Sequence, residues 1–483
     1  MKLLFEKSVD GRRCVRLPVS GLPKAVPDEK YKRAAPLALP QLSEPDISRH
    51  YSALERRAHG VNNGFYPLGS CTMKYNPAVN EKIAGLSGFR DVHPLQSDET
   101  ATGCLEALAI AEKYLAEITG MGAVSFQPAA GAHGEFAGLL LIKRFHEKNG
   151  DIARDKIIVP DSAHGTNPAT AAMCGMKVVG ITSADNGRVD LGQLKDAVGP
   201  DTAGMMLTNP NTLGIFESDI LEIARIVHEA GGLMYCDGAN LNAVMGVTRP
   251  GDMGFDCLHL NLHKTFGTPH GGGGPGSGAV ACKDFLAPFL PSPRIIMKDG
   301  GFFREKDLPD SMGRVKNFDG NFLVVIKALS YLLTLGSDGV VKSAENAVLN
   351  ANYLMKRLSE CYTIAKPGAC MHEFVLTMER EAKDKHVTAN DIAKSLIDRG
   401  IHPPTVYFPL IVPEAMMVEP TETEGKESLD EAAEVFLDIY RKAMADPETA
   451  RSAPVSAPIS RPDEVAAARN PVLRYRPEGS DGL

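Results

Sequence analysis

Paired cysteines, long apolar runs and an excess of positive charge are what this chain lacks. No two of its nine cysteines are spaced as Cys-x-x-Cys, and their number is odd. That argues against a disulfide framework or a structural zinc site and for reduced thiols in a cytoplasmic protein. No apolar run approaches the roughly 20 residues that a membrane span requires. The first residues, Met-Lys-Leu-Leu-Phe-Glu-Lys, turn charged at once, which leaves no room for the apolar stretch of a secretory leader. A formal net charge of −8 gives no general attraction for nucleic acid or for an anionic membrane. No internal repeat and no low-complexity tract interrupts the chain.

Apolar residues make up 43% and charged residues 23%, an ordinary balance for a globular protein, and 483 residues exceed one simple core. Residues 1–60 read as an extended arm, because Pro18, Pro23, Pro27, Pro36, Pro40 and Pro45 break it up and disfavour long helices. Such arms wrap a partner subunit or hang free. From about 120 to 285, short apolar runs alternate with helical periodicity. Lys156–Pro160, Lys177–Thr182, Met205–Thr208, Leu233–Cys236 and Cys257–Asn261 are expected as buried strands. Ser218–Gly231 is expected as a helix capped by Ser218, with Ile220, Ile223, Ala224 and Val227 on one face and Gly231 at its end. The alternation predicts an α/β fold with a mainly parallel sheet, in a large domain over 61–330. After that come a helical stretch from Leu323 to about Leu358, a strand over Glu373–Thr377 and a helix near Asn390–Asp398 stopped by Gly400. A last helix is expected to begin at Ser428, with Glu431 completing a capping box. These form a smaller C-terminal α/β domain over 331–450, and 451–483 reads as a surface tail.

Two runs end in residues that carry chemistry. Tyr235-Cys-Asp-Gly-Ala-Asn240 closes one with Asp237. Asn261-Leu-His-Lys-Thr-Phe closes another with Lys264, followed by a loop that is mostly glycine. An acid and a lysine at the carboxyl ends of two parallel strands are what pyridoxal phosphate chemistry needs. The lysine condenses with the cofactor aldehyde, and the acid keeps the pyridine nitrogen protonated so that the ring accepts electrons. Gln127-Pro-Ala-Ala-Gly-Ala-His-Gly-Glu135 precedes an apolar helix over Phe136–Phe145. Gly131 and Ala132 there are read as a cradle for the cofactor phosphate, although a tight strand–helix turn has the same pattern. No Gly-Lys-Ser/Thr follows, so a nucleotide P-loop does not fit. Within Asp161-Ser-Ala-His-Gly-Thr-Asn-Pro168, His164 is placed to stack on the pyridine, or else serves its own loop. Thr208, at the end of its run, is counted with the cofactor-binding residues. Asn240 is positioned for the ring hydroxyl, or as a turn asparagine. His263 is positioned to donate to the phosphate. His259 and His263 give no metal site, since strand spacing separates them and no third ligand is near in sequence. Gly271–Gly274 is expected to let backbone pass close to the cofactor or a partner, unless it is a mobile loop.

Taken together, these motifs resemble the glycine dehydrogenase (decarboxylating) of the glycine cleavage system, the P-protein. The resemblance rests on Tyr66-Pro-Leu-Gly-Ser-Cys-Thr-Met-Lys74, Ser162-Ala-His-Gly-Thr-Asn-Pro168, Asp237-Gly-Ala-Asn240 and the lysine segment with its glycine loop. It covers residues 60 to 450. P-proteins occur as one chain of about double length or as two unlike half-length subunits. Lys264 makes this chain similar to the catalytic half, subunit 2. The resemblance implies fold type I (aspartate-aminotransferase-like), pyridoxal 5′-phosphate as cofactor and glycine as substrate. It also implies a partner, subunit 1, in a heterotetramer of two of each. The reaction implied is decarboxylation of glycine, with the aminomethyl group passed to the lipoyl arm of H-protein and release of CO₂. One departure is His133, where some single-chain members carry glutamine, and His133 stays outside the site set. Another fold type I enzyme, such as a cysteine desulfurase or a class V aminotransferase, would use the same Lys264 and Asp237. A desulfurase also needs a mobile nucleophilic cysteine, and Cys361 and Cys370 sit in no Gly/Ser-rich loop. A purely supporting subunit would have no need of Lys264.

Overall fold

The computed structural model describes residues 1–23, 25–35, 37, 39–270 and 276–474. The glycine run Gly271–Gly274, with the close backbone approach expected of it, lies outside these residues, as does the end of the expected tail. The described chain forms two compact units, Met1–Gly60 and Val61–Leu483.

The first unit is mostly irregular, with short 3₁₀ turns at Phe5–Lys7 and Glu29–Tyr31 and one helix, Glu44–Glu55. Pro45 does not interrupt this helix; it lies in the first turn, where a missing N–H costs nothing. The backbone N–H and hydroxyl of Ser43 both donate to Asp46 Oδ2, at 3.2 and 2.6 Å, which fixes the helix start.

The second unit is built on a seven-stranded sheet. Its strands are β1 (Ala123–Ser125), β2 (Lys156–Pro160), β3 (Lys177–Ile181), β4 (Thr202–Thr208), β5 (Leu233–Gly238), β6 (Cys257–Asn261) and β7 (Gly278–Cys282), in the order β1-β7-β6-β5-β4-β2-β3. Strands β6, β5, β4, β2 and β3 run parallel, and β7 runs against both of its neighbours. Every residue of β4, β5, β6 and β7 is buried, as expected of strands covered on both faces. The run Lys177–Thr182 differs from the expectation: β3 is the sheet edge, and only Ile181 within it is buried. Short β1 and glycine-led β7 carry too little apolar signal to be read from sequence. The register sets Thr208 beside Asp237, and Asp237 beside His259, across β4, β5 and β6.

Two helix starts differ from the sequence expectation. The helix expected at Phe136 begins at Gly131 and runs to Lys148. The one expected to be capped by Ser218 begins at Ile220, with Asp219 at the cap position and no side-chain cap. Its buried face is Ile220, Ile223, Ala224, Ile226 and Val227, and Gly231 follows it with a positive φ. Helix Gly131–Lys148 lies so close to the sheet that a Cβ on Gly138 would come 2.3 Å from Tyr235 Cε2. Tyr235 is fully buried and has nowhere to move. Gly138→Ala is expected to lower stability by about 1–3 kcal/mol, the usual range for overpacking. Chemical denaturation of the full chain measures it, and a variant as stable as the parent would show that the helix can shift outward at no cost.

A hairpin of β8 (Arg294–Lys298) and β9 (Gly301–Glu305) follows the large sheet. A second sheet has the strands β10 (Thr363–Ile364), β11 (Phe374–Thr377), β12 (Thr405–Val406) and β13 (Ala415–Val418), all antiparallel, in the order β10-β11-β13-β12. Leu68, from the segment that leads into the large sheet, forms a bridge with Val418 of β13. Helix Ala389–Ile397 is capped by Thr388 and Asp391, each serving the other's backbone, and Gly400 follows with a positive φ. The last long helix is not capped at Ser428. It starts at Lys426 after Gly425, and the Ser428 hydroxyl donates to Glu424 instead.

Helix Phe322–Leu358 corrects the expectation that no apolar stretch approaches a membrane span: by length and composition this one is long and apolar enough. Half of that stretch is buried within the structure, and Gly336 leaves helical geometry inside it, with φ 65° and ψ −177°. Val324, Val325, Ile326, Ala328, Leu329 and Leu332 join the core under the large sheet. Such packing explains the apolar run, since core helices carry the same composition. The domain division expected at residue 330 falls inside this helix.

Candidate active site

Asp237, next to last in β5, is buried. The backbone N–H of Ala239 donates to its Oδ1 at 3.0 Å, and the side-chain amide of Asn167 donates to Oδ2 at 3.1 Å. His259 Nε2 lies 3.4 Å from Oδ1. Burial alone would raise the Asp237 carboxyl, but His259, the positive charge of Lys264 and the two hydrogen bonds hold it below its ordinary value. It is therefore a carboxylate at neutral pH. Behind it, Tyr235 O–H meets His259 Nδ1 at 2.5 Å, and His259 Nε2 meets Asn261 Oδ1 at 2.9 Å. Glu135, Asp237 and His259 bring three ligand-type atoms within 4.8 Å of one another. These groups are already engaged, since Glu135 also accepts from the hydroxyls of Thr166 and Thr170.

Lys264 follows β6 by one short turn, its N–H donating to the carbonyl of Asn261 at 3.1 Å. Among the described residues its ammonium makes no hydrogen bond and no ion pair. Its charge nevertheless reaches Asp237, Glu373, Glu419 and Cys71. Lys74, from the motif Tyr66–Lys74, is the opposite case. It is buried, paired with Glu422 at 2.5 Å, and donates to the carbonyl of Thr265 at 2.8 Å. Burial opposes its charge, and Glu422 with Tyr331 more than offsets this, so Lys74 stays protonated and is no nucleophile. The neighbouring residues Ser70 and Thr72 both have positive φ, 66° and 47°. Glu373 accepts from the Ser70 N–H at 2.9 Å, and Glu419 from the Thr72 N–H at 3.0 Å.

Gly131 opens its helix facing Asn261, and a Cβ there would sit 2.2 Å from Asn261 Nδ2. With Ala132 it offers first-turn N–H groups that have no intrahelical partner. His263 Nδ1 lies 3.2 Å from the Ser277 carbonyl and 3.3 Å from its N–H. Burial, His270 and Lys264 push His263 down to about 4, so it is neutral. Among the described residues, Thr208 Oγ1 and Ser277 Oγ are buried without any hydrogen-bond partner. His164 bonds to Thr166 Oγ1 at 2.9 Å, and its ring centroid lies 5.3 Å from that of Phe408. Asn167 of the same loop holds Asp237, which brings the His164 loop to the carboxyl end of β5. Asn240 spends its amide hydrogens on the Pro210 carbonyl, at 2.9 Å, and at longer range on Glu373.

Thr208, Asp237 and Lys264 thus converge at one edge of the sheet. Orphaned hydroxyls, a glycine-lined helix start and an unengaged lysine suit an anionic aldehyde cofactor such as pyridoxal phosphate. Asn167, His259, Ser277, Glu373 and Glu419 were not singled out from sequence for this site. Glu373 and Glu419 left one signal, an acid set against an apolar run in Met371-His-Glu-Phe-Val-Leu376 and Met416-Met-Val-Glu419.

Two solved structures share this architecture. One is titled a crystal structure of glycine decarboxylase (P-protein) of the glycine cleavage system in inhibitor-bound form. It matches with a TM-score of 0.72 and 22% identity over 86% of this chain and 93% of that one. The other is a NifS-like protein, with a TM-score of 0.60 and 15% identity over 79% of this chain and 100% of that one. At such identities the likeness concerns the fold, which is the aspartate-aminotransferase-like fold type I of pyridoxal phosphate enzymes. Sequence comparison goes further. The profile of the glycine cleavage system P-protein matches residues 19–299, and that of the glycine dehydrogenase C-terminal domain matches 343–459. A probable glycine dehydrogenase (decarboxylating) subunit 2 from Treponema denticola is 58% identical over 98% of both chains. Proteins of the same description from Desulforamulus reducens and Listeria monocytogenes are each 55% identical over 99% of both chains. The chain belongs to the glycine cleavage system P-protein family.

Proposed function

We propose that this chain is the catalytic subunit of a split glycine dehydrogenase (decarboxylating), working in the cytoplasm. In this reading it releases CO₂ from glycine and passes the aminomethyl group to the lipoyl arm of H-protein. The observation that carries this is Lys264, unengaged among the described residues, at the sheet edge that holds the Asp237 carboxylate. Pyridoxal phosphate, when bound, supplies an aldehyde for Lys264 and a ring that takes up the electron pair left as CO₂ departs. Lys264 would supply the covalent anchor for the cofactor aldehyde. Asp237, kept ionised by His259, Ala239 and Asn167, holds a proton on the ring nitrogen. Gly131, Ala132, Thr208 and Ser277 would hold the phosphate through N–H and O–H groups, and neutral His263 would add one donor. His164 would cover the bound ring, and Asn240 would be placed for its hydroxyl.

A desulfurase reading is weaker, because Cys370, one of its two candidate nucleophiles, is buried and held in place, its N–H bound to Asn352. Burial pushes the Cys370 thiol up to about 12. No disulfide joins any of the nine cysteines. A supporting, inactive role has no use for a lysine kept free beside a buried carboxylate.

The name subunit 2 borne by the relatives implies an unlike partner, and we assign subunit 1 to that place, with two of each in a heterotetramer. The carbon nucleophile left by CO₂ release must be kept from water, since a stray proton would convert it to methylamine. An interface between subunits is where such a passage for the lipoyl arm is built. The isolated chain is expected to show little exchange of CO₂ with carboxyl-labelled glycine, and adding subunit 1 with lipoylated H-protein to restore it, together with a stable complex on size exclusion. Full turnover by the purified chain alone would replace this reading with a self-sufficient enzyme.

A further inference from the structure

Tyr235 and Asp237 of β5, and His259 and Asn261 of β6, project from one face of the large sheet. Side chains alternate along a strand, and the register sets Asp237 beside His259. All four are buried. Helix Gly131–Lys148 covers this face. A Cβ on Gly131 would lie 2.2 Å from Asn261 Nδ2, one on Gly134 2.7 Å from His259 Cβ, and one on Gly138 2.3 Å from Tyr235 Cε2. Spacings of three and four residues put these glycines on one side of the helix. Each stands over one member of a polar row, so the helix backbone closes on that row at a distance no larger residue would allow.

The protons of the row follow from its contacts. Tyr235 O–H meets His259 Nδ1 at 2.5 Å and has no other hydrogen-bond partner among the described residues. Burial first, then the charges of Glu135 and Asp237, hold this phenol well above its usual range, so it keeps its hydrogen. A buried hydroxyl whose one neighbour is a ring nitrogen donates to that nitrogen, because accepting instead would strand its own hydrogen. Nδ1 is then the acceptor, and Nε2 carries the ring proton. Nε2–H donates to Asn261 Oδ1 at 2.9 Å and faces Asp237 Oδ1 at 3.4 Å. The other tautomer would turn a bare nitrogen lone pair toward both oxygens. Glu135, from the helix above, and Lys264, from the turn after β6, are the other ionisable groups that face Asp237. Burial and the Asp237 charge lift the Glu135 carboxyl above its ordinary value.

We propose that Tyr235 and His259 are positioning residues: Tyr235 holds His259 in its Nε2–H form, and that N–H steadies the Asp237 carboxylate. This rests on the reading of Asp237 as the partner of the cofactor ring nitrogen. Core packing is the rival role for Tyr235, whose ring lies under Gly138. Tyr235→Phe separates the two. Phenylalanine keeps the ring in place and removes only the hydroxyl, after which His259 can carry its hydrogen on either nitrogen.

Nitrogen NMR of the cofactor-free full chain, with its histidine rings labelled, reads the tautomer directly, and H259Q marks which signals belong to His259. The parent is expected to carry the His259 hydrogen on Nε2, and Y235F to show a mixture of the two forms. With pyridoxal phosphate, subunit 1 and lipoylated H-protein supplied, kcat for glycine–CO₂ exchange in Y235F is expected to fall about tenfold, the scale of one hydrogen bond to a charged group. KM for glycine and cofactor content should stay as in the parent. A parent His259 with its hydrogen on Nδ1, or on both nitrogens, would overturn the proposal, and this result stands even if Y235F fails to fold. An unchanged tautomer or an unchanged kcat in Y235F would do the same and leave Tyr235 as packing. An Nε2–H parent in which Asp237→Asn turns over normally would instead sink the reading of Asp237 itself.

Discussion

Lys264→Ala is expected to abolish glycine-dependent CO₂ exchange and the absorbance of the lysine-bound cofactor, even with subunit 1 and H-protein present. The size of the loss follows from the surroundings. Covalent capture needs an amine that is near the cofactor and free to lose its proton. Lys74, in the same region, is locked to Glu422 and to the Thr265 carbonyl. Lys283 is committed to the Gly120 carbonyl at 2.9 Å. Neither can take over, so residual exchange should fall to background rather than to a slower rate. The fold should survive, since Lys264 is only half-buried and its amine holds no described neighbour. Borohydride reduction of the loaded enzyme followed by peptide mapping is the direct check. Label on Lys74 or Lys283 in the parent protein would refute the assignment.

Asp237→Asn should retain cofactor and lose most of the rate. Asparagine preserves size and can still accept from Ala239 or Asn167, but it removes the negative charge that would face the ring nitrogen. Loss of one preorganised electrostatic partner in a water-poor site costs about 3–4 kcal/mol, a slowing of roughly 10²–10³-fold. The charge of Lys264 then faces a neutral group. The measurement is kcat for glycine–CO₂ exchange beside the cofactor content of the purified variant. Turnover close to that of the parent, with cofactor bound, would show that the ring nitrogen does not depend on Asp237.

How much of this was legible in the sequence varied with the range of the contacts involved. Strands β2, β5 and β6 are apolar runs bounded by polar residues, and their ends could be read almost to the residue, so Asp237 and Lys264 stood out. Helix starts were read less well. Ser218 and Ser428 both look like caps, yet a cap depends on where the chain enters the helix, and Asp219 and Gly425 take those positions. Helix Phe322–Leu358 was read almost to its ends, but not its apolar length, because lysine, serine, aspartate and glycine are scattered along it. Strand β3 was read as buried because its composition matches its neighbours; only the sheet order puts it at the edge. Least legible was the ring of groups around Lys264. Asn167 and His259 reach Asp237 through the register of the sheet, and Glu373 and Glu419 arrive from a separate sheet far downstream. No local pattern announces such meetings.

The clasp on residues 70–72 has a consequence for how the protein is made. Ser70 and Thr72 adopt left-handed backbone angles that non-glycine residues avoid, at a cost of about 1–3 kcal/mol each. Their N–H groups are held by carboxyl groups 303 and 347 positions later in the chain. A ribosome that has just delivered Lys264 has therefore produced the reactive amine but not its pocket, because the loop relaxes until β13 and Glu419 have emerged and docked. Capture of the proposed cofactor is expected to wait until the segment around residue 419 has been made. Fragments cut short before residue 419 are expected to carry the lysine without the carboxyl groups that hold residues 70–72, and so to take up no cofactor.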